Sequence, residues 1–314
     1  MARAACIEEY GIQMGIFDYF ENYEEFTLAE AEAFTLGHME VKKPSIRARI
    51  YEGINKGLFE RLGRGVYKVV KNGVTCAVIE GDGRDLSVFG DNSVDAIITD
   101  HPYDLPKCHK GGNRNFTESY DCFTYEQKDF DEKARILKDG CFLVEFAPEE
   151  NADNFEMIYN MKKMALKAGF KYYACVPWKK GDFVANTGRK AKNTENLLIF
   201  TKGKARSLRP DAKKDKAEPE KKHYMSGAAG MFPTVFDVAP VVKTEKIHQA
   251  EKPIDLIRQL LEFITLPEEL VLDQFAGSGV VGEAALSCNR NAILIEKDAE
   301  MVKKIEARLN EFAA

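Results

Sequence analysis

Residues 270–286, LVLDQFAGSGVVGEAAL, place an apolar run, an acid, a cluster of small residues and a second apolar run in immediate succession. The first run is rich in strand-favouring residues and the second is spaced like a helix. Between them, Gly277 and Gly279 let the backbone turn sharply and pass close beneath a ligand. A strand that ends in an acid and a glycine turn and continues as a helix is one unit of a parallel α/β sheet, because parallel neighbours need a crossover element. Ligands of such sheets lie at the carboxyl ends of the strands.

The chain from Val74 onward alternates in the same sense. TCAVIEGD, DAIITD, GCFLVEF, KYYACVPW, NLLIFTKG and AILIEKD read as strands. Helices are expected near residues 125–137, over MIYNMKKMALKAGF and EKPIDLIRQLLEFIT, and from the last strand to about Leu309. No internal repeat is visible. The expected fold is α/β: a Rossmann-like, doubly wound, mostly parallel sheet over residues 73–314. Residues 201–223 are charged and nearly free of apolar side chains, so they are expected to be a mobile excursion outside the core.

The first 72 residues have a different order. TLAEAEAFTLGHM reads as a helix capped by Thr27, with Glu30 three residues on. SIRARIYEGINKG reads as a second helix, with Ser45 as its cap and Gly57 as its end. There Ile46, Ile50 and Ile54 form the apolar face, while Arg47, Arg49 and Lys56 fall off it. LFERLGRGVYKVV then reads as two short strands around a Gly63-Arg64-Gly65 turn. Helix, helix, basic hairpin resembles the winged helix-turn-helix, which puts its second helix in the major groove and its wing on phosphates. That resemblance implies DNA contacts at Arg47, Arg49, Arg64 and Lys68. A unit that only packs on a neighbour or on a second copy is the alternative.

Charge supports a polyanionic partner. The net charge is −5, but residues 1–40 carry nine acids and one base, residues 41–72 nine bases and two acids, and residues 171–222 fifteen bases and six acids. Basic segments on an acidic chain point to polyanion contact at defined faces, with solvated helix surface as the plainer reading. No apolar run approaches a membrane span, and the start lacks the apolar stretch of a secretion signal. The seven cysteines include no paired spacing, which fits a reducing cytoplasm. Cys108-His109 has no second pair to complete a metal site, and none is expected.

A second motif lies at residues 97–105, IITDHPYDL, where a strand ends in an acid, a histidine, a proline and a tyrosine. Taken alone, the loop GSGVVG also satisfies the dinucleotide pattern GxGxxG, with Glu296 at the end of the next strand placed for ribose hydroxyls. The two motifs together are more specific. DQFAGSG resembles the S-adenosylmethionine loop of amino-directed DNA methyltransferases, usually DPFAGSG, and TDHPYD resembles their catalytic motif, usually DPPY. HQAEKPIDLIRQLL resembles the segment before their cofactor strand. The order, catalytic motif before cofactor motif, is the circularly permuted order of the β class, and the resemblance spans about residues 76–310.

This family transfers methyl groups to adenine N6 or cytosine N4. By resemblance, the Asp100 carboxylate and the His101 carbonyl accept the two N–H bonds of the target amino group. Tyr103 stacks on the flipped base and Pro102 stiffens the turn. The resemblance places Asp273, Phe275, Ala276, Gly277, Ser278 and Gly279 around S-adenosylmethionine, Glu296 on its ribose and Asp82 near its adenine. Lys252, Pro253 and His248 are placed beside its methionine moiety. It makes 178–247 the recognition region, where Trp178 and Phe183 suit base stacking and Lys179, Lys180, Arg189 and Lys192 suit phosphates; an ordinary solvated insertion is the alternative.

Two positions depart from the pattern, Gln274 and His101, each where the family carries proline. His101 is read either as tolerated drift or as an altered pocket. The expected substrate is double-stranded DNA, with adenine N6 favoured because Asp opens the motif. Cytosine N4, RNA, and a DNA-binding regulator retaining the fold are the alternatives, and a second copy of the chain, in a homodimer, is a further candidate partner.

Overall fold

The computed structural model describes residues 12, 15–17, 19–20, 23, 25–55, 59–69, 74–103, 122–181, 193–209, 230–242, 244, 246–248 and 250–313. The chain divides into two compact units, Met1–Val74 and Thr75–Ala314.

In the first unit, β1 (Phe26–Thr27) leads into α1 (Leu28–His38), followed by α2 (Lys43–Asn55), β2 (Phe59–Gly63) and β3 (Val66–Val69). The strands form an antiparallel sheet in the order β1-β3-β2. Thr27 and Glu30 make the expected capping box: the Thr27 hydroxyl accepts the Glu30 N–H at 3.2 Å, and the Glu30 carboxylate accepts the Thr27 N–H at 2.7 Å. Ser45 does not cap α2. The helix starts at Lys43, and the Ser45 N–H donates to the Lys42 carbonyl at 2.9 Å. Pro44 explains this, since its fixed φ suits a first helical turn and it has no N–H to satisfy. Gly57 lies outside the described residues. Ile46 and Ile50 pack with Phe20, Phe26, Phe34, Phe59 and Tyr67 in this unit's own core.

The second unit contains β4 (Cys76–Glu80), β5 (Val94–Thr99), α3 (Gln127–Ile136), β6 (Leu137–Pro148), α4 (Phe155–Lys167), β7 (Phe170–Lys179), β8 (Thr194–Lys202), β9 (Phe236–Asp237), α5 (Ile254–Ile264), β10 (Leu270–Asp273), α6 (Val280–Ser287), β11 (Asn291–Glu296) and α7 (Ala299–Ala313). One eight-stranded sheet has the order β4-β11-β10-β5-β6-β8-β7-β9. Every neighbouring pair is parallel except those of β8, which runs antiparallel to both β6 and β7. β5 is buried along its whole length, as a central parallel strand covered on both faces must be. Ala96 and Ile98 join the side chains of α5, α6 and α7 on one face, while Val94 and Ile97 join those of α3 and α4 on the other. The fold is doubly wound.

The structure places part of 178–247 inside this sheet rather than on a separate surface. Trp178 ends β7 in the core, 2% exposed, and its indole N–H donates to the Val238 carbonyl at 2.8 Å. It has no face to offer a base. Phe183, Arg189 and Lys192 lie outside the described residues, as does much of the excursion expected at 201–223. No helix among the described residues is long and apolar enough to cross a membrane.

Candidate active site

β5, β10 and β11 are adjacent parallel strands, so their carboxyl ends bring Asp100, Asp273 and Glu296 to one edge of the sheet. Asp100 follows Thr99 immediately. The main chain after it is fastened by the Phe123 N–H, which donates to the Pro102 carbonyl at 3.0 Å, and by a parallel bridge between Tyr103 and Phe123. Residues 104–121 lie outside the described residues, so the motif stands between β5 and the returning segment at 122–126.

The glycine loop after β10 has the geometry its sequence calls for. Gly277 (φ +53°) and Gly279 (φ +77°) both adopt the left-handed region. A side chain at Gly277 would begin 3.3 Å from the His248 imidazole; one at Gly279 would begin 2.6 Å from Ile305 on α7. The Ala276 N–H donates to the Ile295 carbonyl at 3.0 Å, and the Gly279 N–H to Ala276 at 2.8 Å. Ser278 is buried beneath Arg308, which donates to its carbonyl at 3.3 Å.

The Glu296 carboxylate accepts the Gly277 N–H at 2.8 Å and the Asp298 N–H at 3.0 Å, one on each oxygen. A carboxylate has about four lone-pair sites, which leaves capacity for two hydroxyl donors. Asp273 is 4% exposed and accepts the Phe275 N–H at 3.1 Å. Burial pushes its pKa up to about 7, opposed by that hydrogen bond and reinforced by Asp100 and Glu296. Three carboxylates around one loop favour a ligand that carries positive charge.

Asp82 follows β4 and accepts the Arg84 N–H at 2.9 Å. Its neighbour Gly83 packs so tightly that a side chain there would begin 1.9 Å from the Gln274 carbonyl oxygen. Gln274 is 2% exposed and donates to the Gly83 carbonyl at 2.6 Å, so the residue that replaces proline clasps this loop onto the glycine loop. Phe275 lies 5.5 Å from Phe123, ring to ring, and Arg84 covers the other ring from 4.8 Å while gripping Asp129 with two 2.9 Å bonds.

The 247–253 segment also converges here. The Glu251 carboxylate accepts the Ile247 N–H at 2.9 Å and an Arg308 N–H at 2.6 Å. Pro253 caps α5. His248 accepts the Ala250 N–H through Nδ1 at 3.2 Å, and burial lowers its pKa.

The side chain of Lys252 reaches the strand-end acid of this site. It forms an ion pair with Asp100 and a second with Glu195 of β8 at 3.3 Å, while Lys180 reaches Glu195 at 2.5 Å. Burial raises the Asp100 pKa, with Lys252 opposing it. Burial works against the Lys252 ammonium too, yet Asp100 and Glu195 hold its pKa above the ordinary lysine value. Burial also works against the charge on Glu195, but Lys252 and Lys180 keep its pKa low. Glu195 carried no signal in the sequence.

Arg47, Arg49, Arg64 and Lys68 are all exposed, on α2, the hairpin turn and β3, and Arg47 also bonds the buried Glu32 at 3.1 Å; Lys179 bonds Asp237 at 2.7 Å.

Comparison with known proteins agrees with this geometry. The profile of the DNA methylase family (N6/N4 methyltransferases) matches residues 94–307. The type II methyltransferase M.HpaI of Haemophilus parainfluenzae is 26% identical over 235 residues, covering 72% of this chain and 71% of that protein. M.MjaI of Methanocaldococcus jannaschii is 23% identical over 276 residues, covering 74% and 90%. Among solved structures, the M1.HpyAVI–SAM complex superposes with a TM-score of 0.52 at 21% identity, covering 75% of this chain and 100% of that one. The PvuII cytosine-N4-specific DNA methyltransferase gives 0.54 at 19% identity, covering 75% and 87%. With the profile spanning both the strand-end acid and the glycine loop, the chain belongs to the N6/N4 DNA methylase family.

Proposed function

We propose that this DNA methyltransferase modifies adenine N6 in double-stranded DNA. The observation that carries the reading is Asp100 at the end of β5, beside the Asp273 and Glu296 strand ends and the glycine loop. The family is S-adenosylmethionine-dependent, and the donor, when bound, supplies a methyl group activated on a sulfonium. The electronegative strand ends suit that cation, and the positive-φ Gly277 leaves room for it beside His248. Asp273, Phe275, Ala276, Gly277, Ser278 and Gly279 form its cradle. Glu296 offers its spare lone pairs to ribose hydroxyls, and Asp82 lies toward the adenine.

The chemistry falls to the motif after β5. An exocyclic amino nitrogen is a poor nucleophile because its lone pair is delocalised into the ring. The Asp100 carboxylate and the His101 carbonyl accept its two N–H bonds and hold the lone pair toward the donor. Both acceptors match better as the nitrogen becomes tetrahedral, which is stabilisation specific to the transition state. The nitrogen gains charge with the methyl and sheds a proton, for which Asp100 is the adjacent acceptor. Tyr103 stacks on the flipped base and Pro102 limits the turn.

The N-terminal unit acts as a winged helix, adding phosphate contacts through Arg47, Arg49, Arg64 and Lys68, and the enzyme works in the cytoplasm. Mass spectrometry of nucleosides from DNA before and after expression tests the reading. N6-methyladenine is expected. N4-methylcytosine without it would reassign the base, and donor binding without any methylated nucleoside would favour a regulator.

A further inference from the structure

The His101 side chain is buried. It is 2% exposed, its ring lying 4.0 Å from Tyr125, 5.6 Å from Phe123 and 5.6 Å from Tyr103. Its Nδ1 is buried with no hydrogen-bond partner and stands 3.9 Å from Oε2 of Glu145. Glu145 is fully buried on β6, in register with Thr99, the residue just before the catalytic motif. It forms an ion pair with Lys133 of α3, also fully buried, and Lys133 donates to the Tyr125 hydroxyl at 2.7 Å. That hydroxyl lies 3.4 Å from each Glu145 oxygen.

A buried ion pair seldom adds stability: an apolar pair of the same volume does as well, whereas removing one partner is costly. This one therefore calls for another account, and its neighbour supplies it. A proline at position 101 would need no polar partner, because its ring fixes φ covalently. A histidine there lacks that constraint and brings a buried nitrogen that must be satisfied.

We propose that His101 is a positioning residue, its Nδ1 edge held toward the Glu145 carboxylate by a charge–dipole contact across 3.9 Å, so that the imidazole does for the motif backbone what a proline ring at this position would do. Lys133 and Tyr125 hold Glu145 for this contact. The object positioned is the residue-101 carbonyl, so the proposal rests on the function proposed above. The histidine and the buried pair act as one device. Burial, and secondarily the Lys133 ammonium, push the His101 pKa well below its ordinary value, which agrees with a neutral ring. Among the described residues, the ionisable groups facing it are Glu145 from β6, Lys133 from α3, Tyr125 from the segment before α3 and Tyr103, with Asp100 next to it in the chain.

A coupling experiment tests the device. Replacing the pair together, Lys133→Met with Glu145→Leu, avoids an unpaired buried charge and is expected to leave the melting temperature and donor affinity near wild type. It is expected to lower kcat about tenfold, the scale of one lost polar contact to a buried charge. In a His101→Pro background the same replacement is expected to change kcat by less than about twofold. Equal losses in both backgrounds, or none in either, would overturn the proposal.

Nitrogen-15 NMR of the histidines in the unaltered protein is independent of activity. His101 is expected as a neutral Nδ1–H tautomer that does not titrate across neutral pH. An Nε2–H tautomer, or an ordinary titration, would overturn the device even in an active enzyme. Absence of methyl transfer with the expected tautomer would instead overturn the reading of the site and the carbonyl's role with it.

Discussion

Lys252 and Asp100 form an ion pair across 152 residues of chain, and Glu195 accepts the same ammonium at 3.3 Å. Burial raises the Asp100 pKa, and the cation that opposes that rise comes from the segment leading into α5. Lys252→Met removes the cation that favours the carboxylate, so the Asp100 pKa should rise further. The acid limb of the pH–rate profile is expected to move upward by roughly one unit or more. An unmoved limb in single-turnover assays would mean that Lys252 does not govern Asp100.

Asp100→Ala is expected to lower methyl transfer by at least about a thousandfold, the upper scale for removing a group that binds charge developing in the transition state. Donor affinity should stay within a few-fold, because Lys252 keeps Glu195 as a partner and the glycine loop is untouched. Equilibrium dialysis and a methylation assay on the same preparation separate the two effects.

Gly277→Val acts the other way. The position has φ +53°, which β-branched residues avoid, and the new side chain would begin 3.3 Å from the His248 ring. Donor affinity is expected to fall at least about tenfold, equivalent to about 1.4 kcal/mol. Calorimetry showing wild-type affinity would remove Gly277 from the cradle.

Donor binding should also depend on pH through Asp273, whose pKa is about 7. This carboxyl titrates higher in the folded protein than in the unfolded chain, so its contribution to ligand-free stability is present at low pH and is lost as pH rises through about 7. A cationic donor prefers the ionised form, so affinity is expected to rise from pH 6 to pH 8, about one unit either side of that pKa. Asp273→Asn should flatten the dependence. A slope that survives the substitution would locate it in another group.

In the N-terminal unit, Arg64→Ala with Lys68→Ala is expected to weaken DNA binding. The salt dependence should fall by roughly one unit per lost phosphate contact. Unchanged affinity across a salt series would deny the hairpin this role.

The legible features were those whose causes lie within a few residues. The Thr27–Glu30 capping box, the φ demands of Gly277 and Gly279, the strand that ends at Asp100 and the alternation that makes a doubly wound sheet are all set by local sterics and side-chain spacing. The two-residue strands β1 and β9 are too short to show a period. Ser45 looked like a cap until Pro44 let the helix start ahead of it.

What tertiary structure alone decided is which polar groups share the interior. Trp178, an expected base-stacking face, became core because β7 and β8 extend the sheet through the region read as a recognition surface. Glu195 meets Lys252, and Glu145 meets His101, only because β8 pairs antiparallel with β6 and β6 lies beside β5. Strand order sets those distances, and burial sets their strength, since a charge in a water-poor site must find its partner there wherever the chain supplies it. The sequence by itself determined the strand-end acid, the glycine loop and the chemistry they allow. The sheet's order determined what holds them in place.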